Sequence, residues 1–145
     1  MTELAGAGDL LQQLFAPWLR ELNLTVERCG RDGATLRMPF DERLTRIGGT
    51  VCGQALMALA DTAMVFAISG AAGGFRPMTT VSQSTNFMRA ITGADVLAEG
   101  RVLRLGRTMA FGEVRLHAAG DAVPAVHVTS AYALLPEART GPAPS

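Results

Sequence analysis

One segment constrains the fold more than any other. From Val51 to Ser69 the chain reads VCGQALMALADTAMVFAIS, mostly Ala, Leu and Met, with Asp61 the only charge between Val51 and Phe75. A helix that is apolar all round has to be enclosed on most of its sides. The stretch from Ala55 to Ile68 is shorter than the roughly 20 residues that span a bilayer, and Asp61 interrupts it, so a buried core helix is expected and no membrane partner. Thr50 is placed to cap its N-terminus, and Gly70, Gly73 and Gly74 are placed to end it.

The flanking sequence supplies the enclosure. LTVERCG and ATLRMPF are strand-like runs joined through Arg31-Asp32-Gly33, where the Asp-Gly pair signals a hairpin because both residues tolerate positive φ. After the helix come MTTVSQSTNFMRA, DVLAEGRVLRL, RTMAFGEVRLHA and AVHVTSAYALL, separated by Thr92-Gly93, Leu105-Gly106 and Ala119-Gly120-Asp121. Connections this short favour antiparallel neighbours over helical crossovers. Ahead of all this, Asp9 to Glu21 has helical spacing of Leu10, Leu11, Leu14, Phe15, Trp18 and Leu19, with a break or kink expected at Pro17. The expected class is therefore α+β: a curved antiparallel sheet around one long central helix. A single domain over residues 1–136 is expected, with a cover helix at about 9–21 and a flexible tail at 137–145.

Composition removes several classes. The formal net charge of zero gives no basic excess for nucleic acid, and 48% hydrophobic residues exclude a disordered chain. All thirteen basic residues are arginine, so Schiff-base chemistry, pyridoxal phosphate attachment and a Walker lysine are excluded. There is no clustered His/Cys ligand set, hence no metal, and no cofactor motif is found. Cys29 and Cys52, with no signal-peptide pattern ahead of them, point to a reducing, cytoplasmic setting.

Asp61 is the first candidate for chemistry. Burying an ionised carboxylate without partners costs several kcal/mol, so it is either a structural acid bonded to neighbouring donors or a reactive group held for use. Gly53 is the second. In the first turn of a helix the N–H groups have no intrahelical acceptor, and the absence of a side chain lets a substrate oxygen approach, as an oxyanion hole requires. The glycines at 48, 49 and 53 can equally serve only a tight turn. Eight residues separate Gly53 from Asp61, about 12 Å along a helix. One carbonyl cannot reach both in one subunit, so a shared reaction demands two antiparallel helices across a symmetric dimer.

GGTVCGQALMALADTAM, TTVSQSTNFMRA and GRVLRLGRTMAFGEVRL together resemble the hotdog-fold thioesterases of the phenylacetic-acid-degradation (PaaI-like) type, over roughly residues 34 to 135. The resemblance implies an acyl-CoA thioesterase that releases a free acid and coenzyme A, with no cofactor beyond the coenzyme A of its substrate. It implies Asp61 as nucleophile or general base, opposite the Gly53 N–H of the other subunit. It also implies a hydroxyl from the following strand, Thr80 or its neighbour Thr79, and a homodimer or homotetramer. Cys52 falls where the family usually has histidine, and Arg46 where it has asparagine or glutamine. Arg46 can hold a carboxylated substrate, pair with Asp61 or be simply solvated; Cys52 and Gln54 flank Gly53 as possible substrate contacts. Arg89, Arg104 and Arg107 are candidates for the coenzyme A phosphates. Met57, Met64, Phe66, Phe87 and Met88 are candidate linings of an acyl pocket. A non-catalytic module that binds acyl-CoA or a small apolar ligand is the alternative, supported by the departures at Arg46 and Cys52.

Overall fold

The computed structural model describes residues 6–136; the expected tail, 137–145, lies outside them. Two short helices, α1 (Ala7–Leu14) and α2 (Pro17–Arg20), precede a hairpin of β1 (Thr25–Gly30) and β2 (Gly33–Met38). A 3-10 turn at Glu42–Leu44 leads to the long helix α3 (Gly53–Ala72). Strands β3 (Met78–Phe87), β4 (Val96–Leu105), β5 (Met109–Ala118) and β6 (Val126–Leu134) follow.

All six strands form one antiparallel sheet in the order β1-β2-β4-β5-β6-β3. The register shifts within β1, β3 and β4, between Val26 and Arg28, Thr80 and Ser82, and Val102 and Arg104. Such irregularities bend a strand and increase its twist. The curved sheet wraps α3, and inward residues such as Leu36, Ala98, Val114 and Val128 meet Leu59, Met64, Phe66 and Ile68 with essentially no exposure. Burying each large aliphatic or aromatic side chain is worth about 1.5–3 kcal/mol. This is the curved antiparallel sheet around one central helix that the sequence pattern implies, and the hotdog architecture that the resemblance implies.

Helix and sheet touch most closely toward the end of α3. A Cβ on Gly70 would lie 2.3 Å from the carbonyl oxygen of Gly30, so backbone meets backbone there. Met64 occupies the space that a side chain at Gly112 would fill. Gly70 is thus inside the helix as a packing residue. Only Gly73, at φ 83, closes it, with its N–H donating to the Gly70 carbonyl and that of Gly74 to the Ser69 carbonyl.

Three other expectations are corrected. Thr50 does not cap α3: Cys52 holds the cap position without a side-chain bond, while Thr50 is tied by its backbone to Arg46 and bridges to Thr92. In the β1–β2 hairpin only Gly33 has positive φ, at 137°, and Arg31 and Asp32 make the turn. The break expected at Pro17 is present and divides the cover segment into two helices, the second starting at Pro17; Leu11 and Leu19 are buried, and Phe15 stacks on Phe66 at 5.9 Å. Length does not argue against a membrane span, since α3 has 20 residues with a hydropathy of 1.7 over its most apolar window. Packing does, because 67% of that window is buried within the fold.

Candidate active site

The approach to α3 is built from backbone bonds. Gly48 and Gly49 sit at φ 97 and 80, where a side chain is strained, and close a turn in which the Arg46 N–H donates to the Thr50 carbonyl at 2.9 Å. Val51 and Cys52 then donate to the carbonyls of Ile91 and Leu44. Fixed on both sides, the chain enters α3 at Gly53, whose N–H has no acceptor within the helix. The Phe87 ring lies 3.1 Å from the point where a Gly53 Cβ would stand.

A cavity of about 390 Å³ opens at this point, with Gly53, Leu56, Phe87 and Met88 among its walls and the exposed Arg46 and Arg89 at its rim. Cys52 and Gln54 turn the other way and line a second cavity of about 400 Å³ with Trp18 and Arg43. Of the expected acyl linings, Phe87 and Met88 reach the Gly53 cavity. Met57 is exposed on the open side of α3, whereas Met64 and Phe66 are core, at 0% and 1% exposure, and line nothing.

Two turns along the helix, Asp61 is half-buried on the side of α3 that also carries Gln54 and Met57. Its Oδ1 accepts the Thr80 hydroxyl at 2.9 Å and the Tyr132 hydroxyl at 2.6 Å. Thr80 and Tyr132 are register partners on β3 and β6, so the two donors stand side by side beneath the carboxylate. Burial, then the Asp61 charge, then the bond to it raise the ionisation of Tyr132 far above that of an ordinary phenol, and the hydroxyl stays a donor. Thr79 pairs with Ala133 on the opposite face of the sheet and does not reach Asp61. Arg46 makes no ion pair with Asp61 within the subunit; the acid is engaged by hydroxyls instead.

Sequence reasoning passed over Tyr132, although a signal was present. It is the only tyrosine, it falls on the inward phase of Val126, Val128, Ser130, Tyr132 and Leu134, and it is completely buried. A buried phenol needs an acceptor, and the one acid of the core helix is Asp61.

Arg104 and Arg107 lie apart from Gly53, at the β4–β5 hairpin. Leu105 pairs with Ala110, Ala110 with Tyr132 and Tyr132 with Thr80, which puts this hairpin at the Asp61 end of the sheet. The two histidines are half-buried on the outer face, where His127 Nε2 is 3.0 Å from Glu113 Oε2. Bonds from His127 and Arg101 hold the Glu113 carboxyl below the usual carboxylate range. Among the described residues no three His, Cys, Asp or Glu side chains gather as a metal site.

Comparison with known proteins agrees with this fold. Residues 48–125 match the family model of the thioesterase superfamily. A Thermoplasma volcanium protein provisionally named an esterase is 31% identical over 76% of this chain and 84% of its own. Among solved structures, a provisionally named thioesterase of Silicibacter sp. TM1040 is 30% identical with a TM-score of 0.81, covering 94% of each chain. A conserved protein of Pseudomonas aeruginosa is 26% identical with a TM-score of 0.78, covering 86% of this chain and 98% of its own. The chain belongs to the thioesterase superfamily.

Proposed function

We propose that this protein is an acyl-CoA thioesterase of the PaaI-like type, working as a homodimer or as a homotetramer built from two such dimers. The observation that carries the reading is the pair formed by Asp61, held on an open helix face by Thr80, and Gly53, which lines a cavity two turns away at the N-terminus of α3. In the reaction, Asp61 acts as general base toward water or as nucleophile, the thioester carbonyl oxygen takes the Gly53 N–H as its negative charge develops, and Thr80 orients the acid or the water. The carbon–sulfur bond breaks, a free acid forms, and coenzyme A leaves as the thiol. Water is the only other reactant, and no cofactor is needed.

Two features support a shared site. Gly53 and Asp61 are about 12 Å apart along one helix, and β3 is a ten-residue edge strand with exposed Val81 and Phe87. A long exposed edge is a template for pairing with a second copy. Antiparallel pairing of two such edges would bring Asp61 of one subunit to Gly53 of the other. The Arg104 and Arg107 hairpin would then come toward the partner's Arg46 and Arg89, a basic rim suited to coenzyme A phosphates or an acyl carboxylate. Cys52 and Gln54 remain substrate contacts only for a group that reaches the second cavity. Cys29 and Cys52, which form no disulfide, are consistent with a cytoplasmic enzyme.

The test is thiol release from short, medium, long and aryl acyl-CoAs by the wild type and by Asp61→Asn at equal folded concentration. Turnover that Asp61→Asn abolishes supports the reading. Tight acyl-CoA binding without turnover favours instead the non-catalytic binding protein, for which arginine at 46 and cysteine at 52 are the motive.

A further inference from the structure

We propose that Tyr132 is a positioning residue for Asp61: with Thr80 it occupies Oδ1, fixes the plane of the carboxylate, and leaves Oδ2 as the oxygen that reacts. The proposal rests on the thioesterase reading and extends it to a residue outside the motif that suggested it.

The geometry has three parts. Both hydroxyl bonds fall on the same oxygen, at 2.6 and 2.9 Å, and among the described residues Oδ2 accepts none. The terminal torsion of an aspartate is broad and roughly two-fold, so a single donor leaves the group free to pivot. Donors from two adjacent strands remove that freedom. Further, the two donors differ in stiffness. Thr80 is exposed, whereas the Tyr132 ring is locked at 0% exposure by the core. Its single hydrogen goes to Oδ1 rather than to the Asp61 carbonyl, which is 3.4 Å away. The shorter distance is that of a charge-assisted O–H···O⁻ bond. Lastly, the surrounding core would accept phenylalanine. Burying a hydroxyl there is unfavourable unless it has an acceptor, and Asp61 is that acceptor.

The consequence is a division of labour within one carboxylate. Oδ1 is turned to the strands as the anchor, and Oδ2 is left for water or the thioester carbon. Because burial and the neighbouring charge keep the phenol protonated, the anchor persists over the pH range in which the enzyme can work.

Tyr132→Phe keeps the ring and removes the hydrogen bond. With the best acyl-CoA as substrate, kcat is expected to fall about tenfold with KM within about twofold. Added to Asp61→Asn, the same change is expected to alter the residual rate by less than about twofold, because its effect runs through the acid. Thr80→Ala serves as a second variant with no change in the core. A spectroscopic arm needs no turnover: Tyr132 is the sole tyrosine, so the tyrosine Fermi doublet in ultraviolet resonance Raman spectra, whose intensity ratio follows the hydrogen bonding of the phenol, reports it alone. The doublet is expected to show a strong donor in the wild type and a weaker one in Asp61→Asn, whose amide is a poorer acceptor than a carboxylate.

A wild type that turns over while Tyr132→Phe keeps kcat within about twofold overturns the proposal and leaves the thioesterase reading intact. So does an equal loss from Tyr132→Phe in the Asp61→Asn background, which marks a general structural defect. No turnover by the wild type on any thioester overturns the thioesterase reading; an unchanged tyrosine doublet in Asp61→Asn overturns the claim that the acid holds the phenol.

Discussion

The two halves of α3 are built from the same few residue types and meet different surroundings. Its second half, from Thr62 to Gly70, is buried at every position except Val65, and it approaches the sheet so closely that Gly70 packs directly on the Gly30 backbone. Its first half keeps Gln54 and Met57 exposed and Gly53, Ala58 and Asp61 half-buried, and its polar atoms face cavities and hydroxyls. The difference separates duties within one helix. Close packing at one end fixes where the other end stands, and that end can remain open without loosening the fold. A groove beside a rigid element is the kind of place where a reactive carboxylate can be held within a fraction of an ångström.

If this division is right, substitutions in the two halves affect different measurements. The largest effect is expected from Asp61→Asn in thiol-release assays, a loss of at least about 100-fold in kcat, or roughly 2.7 kcal/mol of transition-state stabilisation, with the melting temperature nearly unchanged. Next, Gly70→Ala should lower stability by about 2 kcal/mol in denaturant titrations, because the added methyl group meets backbone that cannot yield cheaply. The folded fraction of that variant should keep its turnover. A Gly70→Ala protein that is fully stable yet inactive would break the comparison outright. Thr80→Ala should lower kcat by about tenfold or less while leaving stability alone, which would assign the hydroxyl to the working half. The smallest effect should come from the outer face of the sheet, remote from both halves. Glu113 has a lowered pKa in the folded state, through His127 and then Arg101, so its contribution is present above its unfolded value near 4.5 and is lost as pH falls below it. Thermal melts at acidic and neutral pH should show a slightly smaller pH dependence in Glu113→Gln than in the wild type.

Much of this architecture was legible in the sequence because strong local patterns agreed with one another. An all-round apolar helix between alternating strands leaves few alternatives to a sheet wrapped about it. The strand runs and Pro17 were read where the structure has them, within a few residues. What escaped reading depended on distance in space. Gly70 looks like a helix stop and is a contact with Gly30, forty residues earlier in the chain. Thr50 has the right side chain for a cap, but its backbone is claimed by the Arg46 turn. Met64 and Phe66 look like pocket linings by residue type, whereas their helical phase points them into the core. Of the proposed site, Asp61, Gly53 and Thr80 could be named from spacing and resemblance. Tyr132 was passed over: its inward phase on β6 is legible, but its bond to Asp61 spans 71 residues and exists only once β6 lies beside β3.

The central claim is that Gly53 of one subunit and Asp61 of another form one site, and subunit complementation tests it most directly. Asp61→Asn and Gly53→Val, each inactive alone, would be mixed, unfolded together and refolded. Random pairing into symmetric dimers makes half of them mixed, and each mixed dimer has one site with both residues intact and one with neither. The account predicts recovery of about a quarter of wild-type thiol release. No recovery, with mixed dimers shown to be present, would contradict it and put the site within a single subunit.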